Sequence, residues 1–536
     1  MTGVFSLVLH AHLPFVRHPT DAEFLEEDWL YEAISESYLP LLNAFGRLAN
    51  DRVPFRVTVS LSPPLLAMLS DPLLKSRYST RLDQQCELAE KEVRRTRKEV
   101  AINELSRFYR DLFHQLRHDF HHRFGGDLVG AFKALREEGC LELITSSATH
   151  GFLPLLQSVP ETVRAQLAVG ASAYRAAFGA APDGIWLPEC GFYPGLERFL
   201  ARQELRFFFV ETHGIADAVP KPIFGVYAPV YTPSGVAAFG RDPTCSREIW
   251  SAEAGYPGDP LYRDFYRDLG WDAPYEYIRP YVQPTGGRKG VGIKYFRITG
   301  STDQKQPYQP SLAFNRAAIH ATDFLASRQR QFAELSSSVP GRQPIVVAPY
   351  DAELFGHWWF EGPIFLESLI RGAAGAQSDF SLATPGDYLR QNPEHQVSAL
   401  KMSSWGEGGY ADRWLNESNN WIYPHLHHCG TRMVSLARQF SKPTDPQRRA
   451  LNQAARELLL AQSSDWAFII RVGAMAQYAT RRTRGHIARF LQLDEQIRND
   501  RLDLKFLVDA ETESNLFQEI DYRVYAAKWP AAADVI

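Results

Sequence analysis

Cysteine is scarce and scattered in this chain. Five occur among 536 residues, at Cys86, Cys140, Cys190, Cys245 and Cys429. They are odd in number and form no CxxC pair, which argues against a disulfide framework and against a structural zinc site. Charge of one sign is lacking too: the net charge of −4 gives no reason to expect nucleic acid or an acidic membrane as partner. No apolar run approaches the ~20 residues of a spanning helix. The N-terminus has no basic segment ahead of its short apolar run at residues 4–9, so it does not read as a signal peptide. Repeats, low-complexity runs and flexible linkers are also missing. A cytoplasmic, monomeric enzyme is the simplest expectation. What the chain does have is aromatic residues, 12% of the total with 11 Trp and 23 Tyr. They suit a large core. They also suit sugar-stacking surfaces, because a pyranose ring presents apolar C–H faces.

Two acidic stretches about 160 residues apart organise the rest. One is Gly184-Ile185-Trp186-Leu187-Pro188-Glu189-Cys190-Gly191; the other is Ile345-Val346-Val347-Ala348-Pro349-Tyr350-Asp351-Ala352-Glu353. Each is a short apolar run ending on a carboxylate, the pattern of a buried parallel strand with the acid where the strand leaves the sheet. In barrels of alternating strands and helices that end carries the chemistry. Two carboxylates among aromatic residues point to cleavage of a glycosidic bond.

Further strands are expected at residues 4–9, 55–60, 141–145 and 206–210, alternating with helices at 30–48, 159–178, 196–203 and 313–335. This alternation predicts a parallel α/β barrel. Residues 65–137 are helical and charged and longer than one crossover requires, so they read as an inserted helical domain. Between 220 and 300 the alternation breaks into Pro-, Gly- and Tyr-rich loops. Beyond 384 only helical spacing is evident, at 448–460, 466–480 and 486–497, which predicts a C-terminal helical domain over 385–536 packed on the barrel. The barrel then occupies 1–64 and 138–384.

Polar residues gather at the expected strand ends: His10 and His12, His150, Glu189, Glu211 and His213, Asp351 and Glu353. Glu189 also suits a helix N-terminus, and Asp351 a helix cap. Periodicity does not choose between Asp351 and Glu353. His10-Ala11-His12 suits a metal site or a pair of hydrogen-bonding groups for sugar hydroxyls. Trp271, Trp405 and Trp414 stand in glycine-bearing segments and read as exposed, whereas Trp466 and Trp529 read as packing residues.

Five motifs in order, His10-Ala11-His12-Leu13-Pro14, Ala148-Thr149-His150-Gly151-Phe152, Trp186-Leu187-Pro188-Glu189, Tyr350-Asp351-Ala352-Glu353 and Trp405-Gly406-Glu407-Gly408-Gly409, resemble glycoside hydrolase family 57, most closely its 1,4-α-glucan branching enzymes. The resemblance covers nearly the whole chain. It implies a distorted seven-stranded (β/α)7 barrel with a helical insertion and a C-terminal helical domain. It implies Glu189 as nucleophile and Asp351 as general acid/base, no cofactor and no metal, and an α-glucan such as amylose, amylopectin or glycogen as substrate. His-Ala-His in the first motif, where many members have His-Gln-Pro, favours the branching subgroup over amylases and 4-α-glucanotransferases. Trp29, Trp271, Trp405 and Trp414 fall where that subgroup has substrate-lining aromatics, with His10, His12 and His150 at the sugar. Tyr231 is the best match for the tyrosine on that subgroup's active-site loop. The rival expectations are a metal-dependent hydrolase using His10, His12 and His150, and a non-catalytic glucan-binding protein.

Overall fold

A computed structural model describes residues 3–20, 24–251, 255–282, 287–300, 302, 304–338, 341–375 and 379–527; Trp529 lies outside them. Its nine strands are β1 (Gly3–Ala11), β2 (Val57–Leu61), β3 (Leu141–Ser146), β4 (Gly184–Trp186), β5 (Phe207–Val210), β6 (Val230–Tyr231), β7 (Ala237–Gly240), β8 (Ile345–Asp351) and β9 (Phe380–Leu382). Seven of them run parallel in the order β7-β5-β4-β3-β2-β1-β8. Strand β6 pairs antiparallel with β7, and β9 adds to the start of β1. Just past β7, the Asp242 N–H donates to Val347 O of β8 at 2.9 Å and joins the two ends of the path. This is the distorted seven-stranded barrel the sequence predicts.

Strands β1 and β2 are buried at every position and rich in Val, Leu and Phe, which makes them legible as strands; Phe5, Leu7 and Leu9 of β1 share a core with the helices, while Val4 and Val8 share the barrel interior with Ile144, Trp186 and Phe209. Strands β6, β7 and β9 escape sequence reading for the opposite reason. They have two to four residues, and Ala237-Ala238-Phe239-Gly240 lacks the β-branched residues that mark a strand.

The pairing register aligns the strand ends. His10 lies opposite both Ser60 and Asp351, Ser146 opposite Trp186, and Val210 opposite Gly240. The residues that follow all emerge at one edge of the sheet.

The helical segment after β1 runs over Glu27–Ala33 and Leu39–Asn50 with a π turn at Ile34–Tyr38 between them. Such turns re-aim side chains, and here Glu36 and Tyr38 reach the site. Between β2 and β3 come the helices Pro63–Ser70, Pro72–Arg95, Val100–His118 and Leu128–Glu137. Asp71 caps the second of them, accepting from the N–H groups of Leu73 and Leu74. Their apolar faces join the core of the β1–β2 side.

The C-terminal helices are Ile422–Gln439, Asp445–Ala461, Ser464–Val472, Ala476–Arg498 and Leu504–Glu513. The helix expected over 466–480 does not exist as one piece. It stops at Val472, where Gly473 turns into the left-handed region at φ 92°, and a new helix begins at Ala476. These helices share one core with Ile185, Leu187, Phe208 and Val210, so they sit directly on the β3–β5 side of the barrel. Among the described residues, no helix is long and apolar enough to cross a membrane.

Candidate active site

Strand β4 ends at Trp186, and after Leu187-Pro188 the chain turns so sharply that Glu189 takes φ 60° and Cys190 φ 51°. Left-handed conformations are unfavourable for such residues and persist only where the surroundings enforce them. Here Cys190 N–H bonds Leu187 O, Gly191 N–H bonds Pro188 O, and the Trp405 N–H reaches in to the Glu189 carbonyl at 3.0 Å. His150, after β3, is held at φ 57°, with the Ser464 N–H on its carbonyl. Loops after two strands are thus pinned by segments from the far end of the chain.

The Glu189 carboxylate accepts from Trp405 Nε1 at 2.8 Å on one oxygen and from Ser464 Oγ at 3.0 Å on the other. Burial pushes its carboxyl up to about 7, with the Trp405 and Ser464 hydrogen bonds pulling the other way and Asp465 adding to the rise. Asp351, at the end of β8, differs. No side-chain donor reaches it among the described residues, and burial, then Glu353 and Glu189, hold its carboxyl far above the usual range against the pull of Arg241. One carboxyl is therefore equipped to be an anion and the other to keep its proton.

Glu353, which the sequence leaves in competition with Asp351, is bound up in the structure. Its side chain accepts from the Tyr38 hydroxyl and from the His12 backbone N–H at 3.1 Å. It anchors the first barrel loop to the π turn.

The three histidines cluster as the spacing predicts, but all six ring nitrogens meet protein groups. His10 pairs with Ser60 Oγ and His150 Nε2, His150 with Ser464 Oγ, and His12 with Ser62 Oγ and Asp465. His12, His150 and Asp465 bring three potential ligand atoms within 4.8 Å of one another. The His12 and His150 rings are stacked at 3.8 Å and 18°, so their in-plane lone pairs run side by side instead of converging. That arrangement does not fit a tetrahedral metal. Burial holds His10 and His150 well below the usual imidazole range. For His12 burial acts the same way, but the carboxylates of Asp465, Glu353 and Glu189 together outweigh it and the ring lies above its ordinary value.

A cleft of about 950 Å3 opens over this cluster. Of the site residues that the resemblance implies, it is lined by His10, His12, Trp29, His150, Glu189, Trp271, Asp351 and Trp405. Two others are placed elsewhere. Trp414 is 1% exposed, stacked on Phe152 at 4.5 Å under Gly406, where a Cβ would come within 2.6 Å of the indole. The glycine that made the segment read as an exposed loop is there to admit the ring. Tyr231 lies in β6 opposite Ala237, the first residue of β7, hence at the end of the sheet away from Glu189. Its hydroxyl bonds Pro393 O at 3.2 Å and its ring packs on His395. It is no lid over the cleft.

Sequence reading misses Arg241, Ser464 and Asp465. Arg241 follows the unrecognised β7, pairs with Glu211 at 3.0 Å and lies over the Trp405 ring. Ser463-Ser464-Asp465 has the pattern of a helix start, and a helix does begin there, yet the Ser463 side chain makes no capping bond. The next two side chains turn into the barrel instead. Trp466 is a packing residue as expected, its Nε1 on Leu460 O. The cleft mouth carries Trp250, Tyr266, Trp271 and Trp358, all substantially exposed, with Phe265 stacked on Trp358 at 4.4 Å.

These burials predict opposite outcomes for two tryptophans. Trp414→Ala should destabilise the fold by about 3–5 kcal/mol. Trp271→Ala, at a ring 54% exposed, should leave the thermal midpoint in place and raise KM for glucan. Calorimetry and kinetics on the two variants check both.

Residues 6–402 match the family profile described as glycosyl hydrolase family 57, and residues 425–525 that of 1,4-alpha-glucan branching enzyme, C-terminal. The chain is 32% identical, over 99% of its length and 79% of the relative's, to the 1,4-alpha-glucan branching enzyme TK1436 of Thermococcus kodakarensis. Among solved structures it resembles the alpha-amylase AmyC of Thermotoga maritima (TM-score 0.92, 44% identity, 99% of this chain and 100% of that one). It also resembles the GH57-type branching enzyme of Pyrococcus horikoshii (TM-score 0.88, 33% identity, 99% and 98%).

Proposed function

The chain belongs to glycosyl hydrolase family 57, and from that premise we propose that it is a retaining 1,4-α-glucan branching enzyme. The observation that carries the reading is the unlike pair of carboxyls in one aromatic-lined cleft: Glu189 held by two donors, Asp351 by none among the described residues. Asp351 gives its proton to the glycosidic oxygen as the Glu189 carboxylate attacks C1, and a glycosyl-enzyme forms. The 6-hydroxyl of an acceptor glucan then attacks C1, its proton passing to Asp351, and an α-1,6 bond closes. Trp405 and Ser464 hold the Glu189 carboxyl in place. The rim aromatics Trp250, Tyr266, Trp271 and Trp358 offer stacking surfaces for donor and acceptor chains. The setting in keeping with this activity is cytoplasmic glycogen synthesis by a monomer.

A second reading, α-amylase, is favoured by two observations: the position of Tyr231 away from the cleft, and the 44% identity to a protein named as an alpha-amylase. Water in place of the acceptor hydroxyl gives hydrolysis with the same two carboxyls. Incubation with amylose followed by debranching separates the readings. A branching enzyme releases short chains on debranching with few new reducing ends; an amylase yields reducing ends and nothing to debranch.

The pH profile follows from the same geometry. Activity needs Glu189 ionised and Asp351 protonated, so kcat/KM should be bell-shaped. The acidic limb should lie near the raised Glu189 value of about 7, not near the ordinary 4.5, the two groups titrating as a coupled pair. Steady-state kinetics on a soluble maltooligosaccharide from pH 4 to 10 test this. A flat profile down to pH 5 would contradict it.

A further inference from the structure

The geometry points to a reversible hydrogen-bond relay, Ser60–His10–His150–Ser464–Glu189, whose direction is set by the charge on Glu189 and which makes Ser464 a positioning residue for the nucleophile. The inference rests on Glu189 being that nucleophile.

Proton counting fixes the direction. A carboxylate only accepts, so the Ser464 hydroxyl must donate to Glu189 Oε1 at 3.0 Å. Ser464 Oγ then has no proton left for His150, and His150 Nδ1 must donate to it across 2.9 Å. His150 is buried and its imidazole is held in the neutral range, so its Nε2 is bare. His10 Nε2, at 3.0 Å, must supply the proton there. His10 Nδ1 in turn is bare and accepts from Ser60 Oγ at 3.1 Å. Every donor along the line points toward Glu189, and such chains polarise one another.

The reverse order is also complete. If Glu189 carries a proton it donates to Ser464, Ser464 donates to His150 Nδ1, and His150 Nε2–H donates to His10 Nε2. His10 Nδ1–H then donates to Ser60, whose own proton has the Thr145 carbonyl 3.5 Å away. Both imidazoles change tautomer and stay neutral, so the one charge that changes is that of Glu189, whose proton leaves to the cleft that it lines. The nucleophile can therefore be ionised in a closed site without an orphaned polar group in either state. Ser464 opens a helix of the C-terminal region, so that region supplies part of the catalytic machinery.

Glu189→Gln tests the relay because its amide can lie only one way. Trp405 Nε1–H is a fixed donor, so the amide oxygen must face it and the NH2 must face Ser464. The relay is then forced into reverse. Side-chain nitrogen NMR of 15N-histidine protein, with His10 and His150 assigned by substitution, should show Nδ1–H on His150 and Nε2–H on His10 in the native protein above pH 8. In Glu189→Gln it should show Nε2–H on His150 and Nδ1–H on His10. Ser464→Ala supplies the kinetic arm. The charges facing Glu189 are Asp465, His12 and Asp351, with Arg241 acting on Asp351, and all remain in this variant. Loss of a bond to a charged group should move the acidic limb of kcat/KM upward by about one pH unit with KM unchanged, and Ser464→Thr should restore it.

Identical tautomers in native and Glu189→Gln protein, or an unmoved limb in Ser464→Ala, would overturn the relay. Total bond cleavage is the kinetic readout, so a protein that hydrolyses instead of branching tests it equally well. Substantial turnover by Glu189→Gln would instead remove the premise that Glu189 is the nucleophile.

Discussion

Glu189→Gln should abolish chain transfer and hydrolysis together, with turnover lower by on the order of 10^4-fold or more, while amylose binding persists. The amide keeps the shape and the Trp405 bond but cannot displace at C1. On the proposed function, sugar binding rests on cleft-lining rings that the substitution does not touch, Trp29, Trp271 and Trp358 among them. Retardation on amylose-containing gels measures that binding. The folding control has a definite sign. A carboxyl whose folded value is raised from 4.5 to about 7 contributes stability that is present below about 4.5 and lost as pH rises through about 7. At pH 8 the ionised side chain is a burden that glutamine removes. The melting temperature of Glu189→Gln should then equal or exceed that of the native protein, whereas a merely misfolded variant would melt lower. Substantial turnover by the folded variant would remove Glu189 from the role.

The barrel was legible in the sequence where its strands are long and wholly buried. Residues 345–350 of β8 form an uninterrupted apolar run, and that of β1 is broken before His10 only by Ser6, because both strands are buried. The polar edge that lines the cleft was legible because polar residues recur just past such runs. Strand β7 was not, being four residues of alanine, phenylalanine and glycine, and with it went Arg241. Ser464 and Asp465 were hidden differently. Their local pattern is that of a helix start, and nothing in the local sequence tells whether a serine caps its own helix or turns toward a barrel some 300 residues earlier. Trp414 shows the same ambiguity. Glycine beside tryptophan marks a loop, but also a place where an indole must lie against bare backbone. Tyr231 was assigned by resemblance alone; its register against Ala237 puts it at the wrong end of the sheet. In each case the missing information is which distant segment packs against the residue, and periodicity does not carry it.

Asp351→Asn should separate the two halves of the reaction. Cleavage of amylose expels a sugar hydroxyl, a poor leaving group that needs a proton, so it should fall about 10^2- to 10^4-fold. An α-maltosyl fluoride expels fluoride without that help, so Glu189 in the variant should still be glycosylated. Its release then needs a base to deprotonate water or the acceptor, and the substituted amide offers none. The glycosyl-enzyme should accumulate, visible as a mass increment on the peptide containing Glu189. Azide is already an anion and needs no base, so adding it should restore turnover, and the product should be the α-glycosyl azide, formed by two inversions at C1. The same salt added to Glu189→Gln should give the β-azide, because there a single displacement occurs directly on the fluoride. Glu353→Gln is the comparison that distinguishes the two neighbouring acids. Glu353 is tied to Tyr38 and to the His12 backbone, so its loss should disturb the first barrel loop without making azide useful. If azide rescued Glu353→Gln and not Asp351→Asn, the acid/base role would pass to Glu353.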